Sequence, residues 1–100
     1  MPKQIIQISD EDLKEILPGY LKKRLAEVIV LQQLFIDKDY TAIRSIAHNL
    51  KGTGLSYGLE GAGDIGTLLE DAIKAADYDS ALVHFKSLKD YFDNLEVIYT

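Results

Sequence analysis

The sequence contains no cysteine. That absence rules out disulfides, thiolate zinc sites and thiol nucleophiles, and it fits a reducing compartment, with the cytoplasm as the expected location. A basic surplus is missing too. Acids outnumber Lys and Arg by 16 to 11, the net charge is -5 and the pI is near 4.8. Neutralising a phosphate backbone needs a basic face, so no nucleic-acid partner is expected. Long apolar runs are lacking: the longest, Val28 to Leu31, is far too short to span a bilayer. Met1 to Ile8 has neither the basic nor the apolar region of a signal peptide, so no membrane partner is expected. Internal repeats and low-complexity tails are also absent.

What is present describes one helical domain over residues 1–100, with 47% hydrophobic and 27% charged side chains. A chain of this length buries roughly two-thirds of its surface. Ser9, followed by Asp10, Glu11 and Asp12, reads as a helix start, with a capping hydroxyl and acids at the positive end of the helix dipole. Pro18 and Gly19 predict a turn that ends this short helix near Leu17. A longer helix follows from Tyr20 to about Asp37, with Leu21, Leu25, Val28, Gln32 and Phe35 in steps of four and three, widened by Ile29 and Leu31. Asp39 caps the next, whose core stripe is Ile43, Ala47, Leu50, Gly54 and Tyr57. Gly58 stops it. Leu59 to Ala76 forms another helix, with Ala62, Ile65, Leu69 and Ala72 or Ile73 inward. The last helix carries Ala81, Phe85, Leu88, Phe92, Leu95 and Tyr99 at heptad spacing. Joints this short between long helices predict an all-α fold: an antiparallel up-down-up-down four-helix bundle with a short additional N-terminal helix.

Projection at about 100° per residue places Arg44, His48, Lys51, Gly52 and Leu55 together, away from the core stripe of their helix. A lone surface histidine is usually unremarkable, but these neighbours are not typical of one. Lys51 lies one turn from His48, where an ammonium can screen the oxygens of a phosphoryl group on the imidazole. Gly52 costs about 0.8 to 1 kcal/mol in a helix interior relative to Ala, a loss explained if another molecule must come close. Leu55 puts an apolar side chain on the same exposed face. Elsewhere, Gly61-Ala62-Gly63-Asp64-Ile65-Gly66 matches the dinucleotide fingerprint in letters alone, because no strand precedes it and no βαβ unit is available. Close helix packing is the better reading. His84 has no lysine one turn on and lies beside Phe85 of the core stripe, so it reads as structural. No pair of Glu-x-x-His motifs exists, and no metal site is expected. Lys22, Lys23 and Arg24 read as a solvated face, with steering of an acidic partner as the alternative.

Ala47-His48-x-Leu50-Lys51-Gly52, followed six residues later by Gly58, resembles the signature of the histidine-containing phosphotransfer (HPt) domain family. Asp39-Tyr40 resembles the family's lead-in and Leu69-Glu70 its closing pair, so the resemblance covers nearly the whole chain. Gly54, where many members carry Ser or Ala, and the glycines at 61, 63 and 66 depart from the pattern. The resemblance implies a phosphorelay carrier with no kinase or phosphatase site of its own. His48 would be the phosphoacceptor, Lys51 would stabilise the phosphoryl group, and Arg44, Gly52 and Leu55 would dock a receiver. Glu70, carried over from the matching family position, would accept a hydrogen bond from Nδ1 and leave Nε2 as the nucleophile. The implied partners are receiver domains of response regulators and a hybrid histidine kinase. No cofactor is implied for this chain, Mg²⁺ being held by the receiver, and a monomer is the expected state. The alternatives are a helical adaptor that binds receivers without being phosphorylated, and the phosphoacceptor module of a chemotaxis-type histidine kinase.

Overall fold

The computed structural model describes residues 3–100. Met1 and Pro2, the start of the segment read above for a signal peptide, lie outside the described residues. The elements in order are β1 (Gln4–Ile8), α1 (Glu11–Asp37), α2 (Tyr40–Ser56), α3 (Glu60–Lys74), α4 (Tyr78–Asp93) and β2 (Leu95–Tyr99). The molecule is thus mostly helical, with four helices and one short pair of strands. No helix among the described residues is long and apolar enough to cross a membrane.

Aspartates start three of the four helices. The Asp10 carboxylate accepts from the backbone N–H of Asp12 and Leu13, that of Asp39 from Ala42, and that of Asp77 from Ser80. The first cap is therefore Asp10 and not Ser9. Hydrogen bonds from the Ser80 hydroxyl and backbone hold the Asp77 carboxyl below its ordinary range.

The separate N-terminal helix is corrected. α1 runs for 27 residues straight through Pro18, which the sequence reading took as a break. Proline in a helix interior costs about 3 kcal/mol. Two features offset that cost. Leu17 and Tyr20, on either side, are buried in the core, and each contributes about 1.5 to 3 kcal/mol when fully buried. Pro18 itself is exposed, so its ring displaces nothing in the core. The buried stripe of α1 is Leu17, Tyr20, Arg24, Val28 and Leu31. Leu25 and Ile29, expected inward, are exposed.

Arg24 also departs from the basic run read at Lys22 to Arg24. Its guanidinium lies 4.8 Å from the centre of the Tyr20 ring, its Nε is 2.9 Å from the Glu27 carboxylate, and the residue is buried. Only Lys22 and Lys23 remain on the surface.

The stripes expected for α2, α3 and the body of α4 are largely those observed, with Tyr57 and Ile65 only half-buried. Ile43, Ala47, Leu50, Ala62, Leu69, Ala81, Phe85 and Leu88 are all buried. α4 ends earlier than its heptad suggested, because Asn94 caps it and donates its side-chain amide to the Asp90 carbonyl at 2.8 Å. Leu95 to Tyr99 then pairs in parallel with Gln4 to Ile8, Gln4 opposite Leu95 and Ile8 opposite Tyr99. Both segments, QIIQI and LEVIY, are rich in β-branched residues. Leu95 satisfies the heptad and the strand equally, and only pairing with a segment at the other end of the chain decides between them.

Candidate functional site

α2 and α3 meet at backbone distance. A Cβ added to Gly54 would lie 2.6 Å from the Gly63 backbone nitrogen, and one added to Gly66 would lie 2.9 Å from that of Lys51. Two of the glycines that imitate a dinucleotide fingerprint, Gly63 and Gly66, thus form the seam with α2, while Gly61 faces the Tyr91 ring of α4. That seam sets the distance between His48 on α2 and Glu70 on α3.

His48 Nδ1 is 2.7 Å from Glu70 Oε2. The two side chains differ sharply in exposure, with the imidazole 72% exposed and the carboxylate 2%. An ionised carboxylate only accepts hydrogen bonds, so the ring proton belongs on Nδ1 and the lone pair on Nε2. The remaining oxygen, Oε1, has the Lys51 ammonium at 3.6 Å and that of Lys74 at 3.8 Å. Burial pushes the Glu70 carboxyl up. The His48 hydrogen bond and the charges of Lys74, His48 and Lys51 together outweigh that effect and hold it below its ordinary range. Glu70 is therefore a buried anion with three cationic or hydrogen-bonding neighbours, all of which reach into solvent, His48 the furthest.

Around this centre the other candidates fall into two groups. Arg44 lines an open depression of about 370 Å³ with Thr41, Ser45, His48, Glu70 and Lys74. Lys51 and Leu55 line a second, of about 300 Å³, with Glu60, Gly63, Asp64 and Thr67. Side chains of a helix lean towards its N-terminus, which is why His48 shares a depression with Arg44 and not with Leu55. Leu55 is 65% exposed. At Gly52 an added Cβ would meet no atom within 4 Å, so the position opens directly to solvent. Lys74 was missed in the sequence. Its signal was the i, i+4 spacing from Glu70 in the last turn of α3, which is too common on helix surfaces to stand out.

Chemically, the arrangement offers an accessible imidazole nitrogen, a fixed tautomer, and flanking cations that can receive negative charge. Comparison with protein-family models, curated proteins and solved structures gave no match.

Proposed function

We propose that this chain is a cytoplasmic phosphocarrier of HPt type, with α1 to α4 in the antiparallel up-down arrangement of that family and receiver domains as partners. The observation that carries the reading is the 2.7 Å contact from exposed His48 to buried Glu70. In the transfer step the Nε2 lone pair attacks the phosphorus of a receiver's aspartyl phosphate in line with the breaking P–O bond. The aspartate leaves as carboxylate, and an N–P bond forms on a ring that still carries Nδ1–H. The positive charge that builds on the ring is met by Glu70, as a carboxylate meets a histidine in other sites. Lys51, with Arg44 and Lys74 on the other side, offers cations to the phosphoryl oxygens. Onward transfer reverses these bonds on a second receiver. Mg²⁺ belongs to the receivers and not to this chain.

The test is transfer from a panel of purified, phosphorylated receiver domains. At least one should give an acid-labile, base-stable label on this chain that His48→Gln abolishes. Equal labelling of His48→Gln would remove His48 as the acceptor. Tight binding of a phosphorylated receiver without transfer would favour the adaptor reading.

A further inference from the structure

On the α1/α4 side the chain keeps an apolar face uncovered. Phe35 of α1 and Phe85 of α4 form its floor, with ring centroids 5.3 Å apart, and the stacked rings of Tyr40 and Tyr78 close one end. The depression they line, about 510 Å³, is larger than either of those beside His48. Of its lining residues Ile36 is 68% exposed and Leu82 is exposed as well, and Val83, next to Leu82 on α4 but outside the lining, is 60% exposed. Ile29, two turns before Ile36 on the same side of α1, is also exposed.

The charges on this face have a particular order. Asp79 lies one turn before Leu82 and Val83 on α4, and Lys86 one turn after them. All four project within about 60° of one direction at 100° per residue. Among the described residues neither Asp79 nor Lys86 takes part in an ion pair, and neither does Lys89, which also lines the depression. Asp79 and Lys86 are equidistant from the midpoint between Leu82 and Val83. A two-fold axis through that midpoint would therefore set Asp79 of each copy against Lys86 of the other and Leu82 against Val83. An isologous contact needs this self-complementarity, with residue i meeting j and j meeting i.

The geometry points to a second copy of this chain as the occupant: the α1/α4 face is the interface of an antiparallel, two-fold homodimer centred on Leu82 and Val83. This goes beyond the phosphocarrier reading and does not depend on it, and it replaces the monomer expected from the sequence. His48 lies on the α2/α3 side and stays accessible in the dimer. Helix segments of this length make a small contact of about 1,000 Å², in the class of weak and transient interfaces.

Sedimentation velocity from about 10 µM to 1 mM, the range in which weak interfaces associate, tests the proposal. The wild type should shift from monomer to dimer. Asp79→Lys, which sets Lys against Lys, and Lys86→Asp, which sets acid against acid, should each remain monomeric at the same concentrations. An equimolar mixture of the two should recover the dimer, because both cross-pairs are then complementary. Ile36→Lys, at an exposed position, should weaken the dimer at least tenfold with an unchanged circular dichroism spectrum. A wild type that stays monomeric throughout would overturn the proposal and leave the face to a different protein. So would single variants that dimerise like the wild type, or a mixture that does not associate.

Discussion

The two sides of the molecule are built on opposite principles. Between α2 and α3, glycines let backbones approach until an added Cβ at Gly54 or Gly66 would fall within 3.0 Å of a neighbouring backbone nitrogen. Between α1 and α4, large rings hold the helices apart and leave aliphatic side chains uncovered. A side chain on α3 can hold one on α2 in a fixed position only if the two backbones are themselves fixed, which a glycine seam does and a ring-filled interface does less well. The precise side carries His48 and Glu70. The loosely covered side carries the apolar face.

The sharpest way to break this contrast is at the site itself. His48→Gln should abolish phosphoryl transfer while the helical spectrum persists, as a labelling assay beside circular dichroism will show. Glu70→Ala should slow transfer about 10- to 100-fold, the usual cost of removing a partner that orients a histidine. Single-turnover rates are the readout, and an unchanged rate would detach Glu70 from the mechanism.

The seam gives a comparison within one helix. Gly54→Ala forces a Cβ against the Gly63 backbone and should destabilise by about 1 to 3 kcal/mol, typical of overpacking. Gly52→Ala, two residues earlier, meets nothing and should stabilise by about 0.8 to 1 kcal/mol through helix propensity. Urea denaturation of the two variants should move the midpoint in opposite directions. If Gly52 also clears an approach for a receiver, its alanine variant will be more stable and slower in transfer.

A smaller effect is expected from pH. The Glu70 carboxyl is held below its ordinary range, so its contribution to stability is fully present above the unfolded-state value. It is lost as pH falls through the lowered folded-state value. Glu70→Gln should flatten that part of the stability curve in acid, measured by urea midpoints across the acidic limb. An unaltered slope would mean that neither the His48 hydrogen bond nor the lysine charges around Glu70 contribute to folding.

Much of this was legible in the sequence where the information is local. The four-and-three rhythm from Ile43 to Tyr57 placed His48 on the outer face, and Asp39 marked where that helix begins. Reading failed where a long-range contact overrides a local rule. Pro18 signals a break, but the burial of Leu17 and Tyr20 carries α1 through it. Leu95 continues a heptad, yet pairing with a strand some ninety residues away draws it out of the helix. Lys74 became visible only once Glu70 was known to be buried between two helices.

The central claim is that buried Glu70 fixes the His48 ring with its proton on Nδ1, leaving Nε2 free to attack. Nitrogen-15 NMR of the imidazole in the neutral state reads this directly. The expected spectrum shows Nδ1 protonated and Nε2 bare, with the preference lost in Glu70→Ala. A wild-type spectrum with the proton on Nε2, or one unchanged by removing the carboxylate, would contradict it.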